Sequence, residues 1–128
     1  MSKSLKDLVA DARSRVAAVK PGDAQSARQD GDMILDVREP AELDSDGAID
    51  GAIHIPRGLL EAQADPDTGK GHDALLAMRH SDGCVHVLCA SGARAALAAD
   101  TLRAMGYNAK VIDGGLGGWK EAGLPVTS

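Results

Sequence analysis

Residues 82–106 read DGCVHVLCASGARAALAADTLRAMG. Asp82 and Gly83 turn the chain into an apolar run, Cys84 to Leu88, which predicts a strand covered on both faces, the kind found inside a parallel sheet. Four small residues follow it, Ala90 to Ala93. Then Ala95, Leu97, Ala98, Leu102 and Met105 recur at helical spacing as far as Gly106, a natural helix stop. Strand, tight loop and helix in that order make half of a βαβ unit. They set Cys89 at the carboxyl end of the strand, the edge where open α/β sheets take their ligands.

The flanking chain repeats the alternation. Upstream, Met33 to Val37 is a second apolar run entered through the Asp30-Gly31 turn, and Ala52 to Ile55 is a shorter one stopped by Pro56. Downstream, Tyr107 to Ile112 predicts the last strand. Gly114, Gly115, Gly117 and Gly118 then crowd a turn before Trp119, and a short final helix ends near Gly123 and Pro125. At the amino end, Leu5, Leu8, Val9, Ala12 and Val16 define an amphipathic helix with Ser4 and Asp7 as a weak cap. Val16 to Val19 fits either the end of that helix or a short strand. Pro21-Gly22-Asp23 reads as a break before a short helix over Ala24 to Arg28.

Between the strands, the acidic stretch Glu39, Glu42, Asp44, Asp46 and Asp50 reads as a solvated loop. Leu59, Leu60 and Gln63 begin a helical turn, Asp65 to Gly71 is a surface loop, and Asp73 to His80 is a helix. The expectation is an α/β domain with a largely parallel sheet and helices on both faces. An amino-terminal helix over residues 1–20 packs on or extends a main domain over residues 21–128.

Composition narrows the function. A chain of 128 residues holds one core, and 44% hydrophobic with 26% charged residues excludes a disordered or collagen-like polymer. With no Phe, one Trp and one Tyr, the interior must be Ala, Val, Leu, Ile and Met, and little aromatic surface is left for stacking bases. The net charge of -5 repels a phosphate backbone, so no nucleic-acid partner is expected. No apolar run approaches the ~18 residues of a membrane span, and Lys6, Asp7, Asp11, Arg13 and Arg15 interrupt any secretory segment. No membrane partner is expected, and the expected location is cytoplasmic, with reduced thiols. Cys84 and Cys89 on one strand would stand roughly 16 Å apart, too far for a bridge.

Taken alone, Cys89 would be one more buried small hydrophobe. Its loop argues otherwise. Ala90, Ser91, Gly92 and Ala93 leave successive backbone amides free to converge on one point, and the amides of the helix amino terminus add positive potential there. Arg94, in the first turn of that helix, strengthens the field. Such surroundings lower a cysteine pKa from ~8.5 into the range of roughly 3.5–7.5, so an ionised nucleophile is expected.

The blocks Leu35-Asp36-Val37-Arg38-Glu39-Pro40 with Glu42, Gly47-x-Ile49-x-Gly51-Ala52-x-x-Ile55-Pro56, Cys89-x-x-Gly92-x-Arg94 and Gly114-Gly115-x-x-Gly118-Trp119 resemble, together and in this order, a single-domain rhodanese. The resemblance implies the rhodanese-like fold, a five-stranded parallel sheet flanked by helices. It also implies a sulfurtransferase whose loop cysteine, here Cys89, takes up a sulfane sulfur as a persulfide and passes it on. Ala48 and Asp50 stand where the family usually has His and Pro, and Ala90 and Ala93 stand where many members carry larger or charged residues. Neither difference removes a reacting group.

On this reading Cys89 is catalytic, and Ala90, Ser91, Gly92, Ala93 and Arg94 bind a small anionic donor such as thiosulfate. The acceptor is a thiol or cyanide, and a protein acceptor is a further candidate. Arg57 is a candidate for the donor's anionic end, with Glu61 four residues on as a competing partner. Asp36 is placed behind the site, and Arg38 is read as paired with Glu42 one helical turn later. His54, His72, His80 and His86 are read as structural. Cys84 and His86 face away from Cys89 on the strand, so these three do not converge on zinc. The mechanism needs no metal and no organic cofactor. Two other readings compete with the enzyme: a sulfur carrier or partner-docking module, and a phosphatase or arsenate reductase. The phosphatase class places five residues between Cys and Arg, whereas four separate Cys89 from Arg94.

Overall fold

The computed structural model describes residues 2–127. Its centre is a five-stranded sheet in the order β1-β5-β4-β2-β3, formed by β1 (Ala18–Val19), β2 (Met33–Asp36), β3 (Ile53–His54), β4 (Val85–Leu88) and β5 (Ala109–Ile112). Every neighbouring pair is parallel. Leu35 lies between Ile53 and Val87, and Val87 lies opposite Val111. Every residue of β4 is buried, as its apolar run requires of a central strand covered on both faces.

Side-chain alternation along the strands divides the interior in two. Leu35, Val37, Val85, Val87 and Cys89 point to a face packed by Ala95, Ala98, Ala99 and Leu102 of α6 (Ala93–Ala104) and by Ala12 of α1 (Leu5–Arg13). Ile34, Leu88 and Ile112 point the other way, onto Ala24 of α2 (Pro21–Ala27) and Leu116 and Trp119 of α7 (Gly115–Glu121). Alanine dominates α6 because this helix lies close against the sheet on one side and α1 on the other. Trp119 fills the opposite core completely, at 0% exposure, and its indole N–H donates to the Pro125 carbonyl at 3.0 Å.

The amino-terminal cap is a full capping box. The Asp7 amide donates to Ser4 Oγ at 3.1 Å, and the Ser4 amide donates to Asp7 Oδ2 at 3.0 Å. The stretch before Pro21 is a strand, β1, which resolves the two alternatives left by its sequence.

Three expectations are corrected. Pro21 opens α2 at its first turn instead of breaking the chain, because its fixed φ suits that position and its missing N–H would have no partner there. The acidic stretch is helix α3 (Pro40–Asp46), not a solvated loop. Pro40 again stands in the first turn, and Glu39 and Glu42 form a reciprocal capping box that the charge pattern concealed. The helix expected to reach His80 is α5 (Asp73–Leu76). The chain leaves it through turns to His80 at φ 59, whose amide donates to the Gly106 carbonyl at 3.1 Å. A short helix, α4 (Leu60–Ala64), precedes it. Ala48 and Thr127 exchange backbone hydrogen bonds at 3.0 and 2.7 Å, tying the end of the described chain to the segment after α3.

Candidate active site

Cys89 follows β4 directly. It is 1% exposed, whereas Ala90 and Ser91, the next two residues, are exposed. Two contacts fix the turn. The Leu116 amide at the start of α7 donates to the Cys89 carbonyl at 2.9 Å, and the Gly92 amide donates to Cys89 Sγ at 2.9 Å. Gly92 caps α6 with φ +120, a conformation that side chains rarely adopt. Among the described residues Gly92 is the only backbone amide in hydrogen-bonding reach of the sulfur, at the positive end of a 12-residue helix.

Gly115 brings α7 against this loop. A Cβ there would stand 2.5 Å from the carbonyl oxygens of both Cys89 and Ala90, so only glycine permits the approach. The glycines expected to crowd a turn before Trp119 instead begin the last helix: Gly114 caps α7, and Gly115, its first residue, seats the cysteine loop.

Arg94 does not point freely over the sulfur. Its guanidinium grips Glu42 of α3 through two bonds, Nη1 to Oε1 at 2.6 Å and Nη2 to Oε2 at 2.8 Å. Arg94, with the Glu39 amide, holds the Glu42 carboxyl down at about 2, and Glu42 in turn raises the Arg94 pKa. This overturns the expected Arg38–Glu42 pair. Arg38 is fully buried on Asp36: its Nη2 donates to Asp36 Oδ2 at 2.7 Å and its Nε to Asp36 Oδ1 at 3.0 Å. Nη2 also donates to the Gly47 carbonyl at the end of α3, at 2.9 Å. The exit of β2 directs Arg38 inward, so Glu42 is left to cross to α6. Asp36 therefore acts through Arg38 to hold α3, and α3 presents Glu42 to Arg94.

Arg57 forms its i,i+4 pair with Glu61 at 2.9 Å and donates to Thr101 Oγ1 at 3.3 Å, two turns along α6 from the loop. Cys84 lies at the other end of β4, where burial pushes its thiol up to about 11. It shares that end with His86, whose Nε2 lies 2.8 Å from Asp32 Oδ2. The donor atoms of Asp32, Cys84 and His86 lie within 4.8 Å of one another, a grouping that includes Asp32 in place of Cys89 and sits at the sheet edge opposite the cysteine loop. The Asp32 carboxylate also accepts from the Cys84 amide at 3.0 Å, so it fastens the start of β2 to the start of β4.

One residue near the loop was missed. Arg13, at the carboxyl end of α1, places Nη2 within 3.1 Å of where a Gly92 Cβ would be. Helical periodicity marks only the apolar face of α1, and no local pattern joins residues 13 and 92.

The Rhodanese-like domain profile matches residues 20–122. The chain is 33% identical over 111 residues to SseB of Mycobacterium tuberculosis, whose name assigns it provisionally as a thiosulfate sulfurtransferase; the match covers 77% of this chain. The chain spans about two fifths of the length of that relative, 38%. Among solved structures, a Rhodopseudomonas palustris protein of unknown function, described as a possible tyrosine phosphatase, superposes with TM-score 0.87 at 32% identity, over 98% of this chain and 96% of that one. The homodimeric polysulfide-sulfur transferase of Wolinella succinogenes superposes with TM-score 0.72 at 32% identity, over 94% and 85%. With the profile covering four of the five strands, the cysteine loop and the glycine-rich start of α7 alike, the chain belongs to the rhodanese-like domain family.

Proposed function

We propose that this domain is a thiosulfate-type sulfurtransferase working through a Cys89 persulfide in a reducing compartment such as the cytoplasm. The observation that carries the reading is the Cys89 sulfur, at the carboxyl end of the central strand, accepting the Gly92 amide at 2.9 Å at the amino terminus of α6. That arrangement sets the sulfur against an N–H donor at the positive end of a 12-residue helix.

The reaction is a double displacement. The Cys89 thiolate attacks the outer sulfur of thiosulfate; the new S–S bond takes the thiolate's electron pair, and the old S–S pair leaves with sulfite. The product, Cys89–S–S⁻, carries its charge on the terminal sulfur, where loop amides can meet it. A thiolate or cyanide then attacks that terminal sulfur. The Cys89 S–S bond breaks with its electrons returning to Cys89, and a persulfide or thiocyanate is released. Ala90 and Ser91, as the exposed members of the loop, border the approach to the covered sulfur.

The Arg94–Glu42 fork weighs against phosphatase chemistry. Two of the Arg94 N–H donors are taken by a carboxylate whose charge a phosphate would have to displace, and four loop residues make a tighter ring than the five of that class. Intact mass spectrometry tests the assignment. After incubation with thiosulfate the protein gains one sulfur atom, Cys89→Ser does not, and cyanide removes the sulfur with turnover. No gain, together with hydrolysis of an aryl phosphate, would replace the assignment with a phosphatase.

A further inference from the structure

Thiosulfate carries two negative charges, yet the three arginines that the sequence motifs single out are already committed. Arg94 is neutralised by Glu42, Arg57 by Glu61, and Arg38 by Asp36 in the interior. The chain as a whole is acidic, at -5, and α3 brings further carboxylates to the same edge of the sheet. A donor anion drawn to Cys89 therefore needs a cation whose charge is not cancelled by a neighbour.

Arg13 meets that need. Among the described residues no carboxylate lies within 4.0 Å of its guanidinium, although its helix neighbour Arg15 is bound to both Asp11 and Asp100. Its Nη2 lies over Gly92, the residue whose amide donates to the cysteine sulfur. A Cβ at Gly92 would stand 3.1 Å from this nitrogen, so the bare glycine lets the guanidinium lie close to the loop backbone.

The position is built, not incidental. The Ser4–Asp7 capping box starts α1, Ala12 is buried against α6 at 1% exposure, and two residues beyond Arg13, Arg15 clamps Asp100 of α6 with bonds of 2.8 and 2.7 Å. Beside Arg13, a 230 Å³ depression formed with Val16, Ala17, Ala18 and Val111 opens at the surface.

We propose that Arg13, from the helix ahead of the family-matched region, is the donor-recognition residue. Its planar guanidinium pairs with the sulfonate oxygens of a thiosulfate-class dianion and holds the outer sulfur toward Cys89. The proposal rests on the sulfurtransferase reading above and names the residue that selects an anionic donor. The sulfite released in the first step stays within reach of the same group, so Arg13 also governs product inhibition.

Steady-state thiosulfate-to-cyanide kinetics on the full chain test this with Arg13→Gln and Arg13→Lys, both checked for wild-type melting. Arg13→Gln raises KM for thiosulfate about tenfold while kcat stays within about threefold, and it weakens inhibition by sulfite in parallel. Arg13→Lys recovers part of the loss. Thiolation of Cys89 by the uncharged reagent methyl methanethiosulfonate proceeds at the wild-type rate in both variants, which a disturbed loop would not allow. An active wild type whose KM and sulfite inhibition are unchanged in Arg13→Gln overturns the Arg13 assignment and leaves the sulfurtransferase reading intact. A wild type that takes no sulfur from thiosulfate overturns both.

Discussion

Replacing Gly115 by alanine isolates the contact between α7 and the cysteine loop. The added Cβ would meet two backbone carbonyl oxygens, those of Cys89 and Ala90, at 2.5 Å. That is about 0.9 Å inside the 3.4 Å at which ordinary contact begins, and neither oxygen belongs to a side chain that can rotate away. Gly115 also has φ +59, a left-handed value that costs a residue with a Cβ ~1–2 kcal/mol. Overpacking adds ~1–3 kcal/mol. Together they remove a sizeable part of the ~5–15 kcal/mol that holds a domain of this kind together. We expect a fall in melting temperature of roughly 10 °C or more. The surviving folded protein relieves the clash by moving the loop, which pulls the Gly92 amide off the sulfur, so sulfur uptake from thiosulfate slows at least tenfold. Gly117→Ala is the matched control in the same helix. Nothing lies within 4 Å of its Cβ, and it should melt at or slightly above the wild-type temperature. A Gly115→Ala protein with wild-type melting and wild-type sulfur uptake would refute the idea that this glycine exists to seat the loop.

Other substitutions probe the remaining parts. Glu42→Gln breaks the fork to Arg94 and should cost at most about 1 kcal/mol at neutral pH, because the Arg94 side chain is 38% exposed and solvent screens the pair. The fold depresses the Glu42 carboxyl from 4.5 to about 2, so the pair's contribution is complete above 4.5 and disappears as pH falls toward 2. Thermal melts of variant and wild type should converge over that interval, and a gap that persists unchanged would contradict the pair's role. Asp36→Asn leaves a buried arginine without its carboxylate and should lower stability by ~3–5 kcal/mol in urea titrations; a loss below ~1 kcal/mol would show that the pair is not what anchors α3. In a Cys89→Ser background, Cys84, 5% exposed and pushed up to about 11, should resist iodoacetamide at pH 8 in the native protein, and prompt alkylation would contradict its burial.

What could be read from the chain alone was whatever is encoded locally. The strand Val85–Leu88, the small-residue turn and the helix Ala93–Ala104 each have a period or a stop that belongs to their own residues. Arg57 and Glu61, four apart, pair as expected. Arg38 and Glu42 have the same spacing and do not, because Arg38 leaves the end of β2 and turns back to Asp36 two residues earlier, a geometry fixed by the strand and not by helical spacing. That left Glu42 for Arg94, 52 residues away, and no rule of spacing reaches so far. Arg13 over Gly92 is a longer connection still. Helix α3 was hidden for a different reason: its carboxylates look like a solvated run, although Pro40 and the Glu39–Glu42 box are helix-start signals in their own right.

The proposed function turns on Cys89 accepting a single sulfur and handing it on. Intact mass spectrometry of the wild-type chain and of Cys89→Ser after incubation with thiosulfate tests it most directly. A gain of one sulfur atom on the wild type alone, reversed by cyanide, is expected. An unchanged wild-type mass, or the same gain on Cys89→Ser, would contradict it.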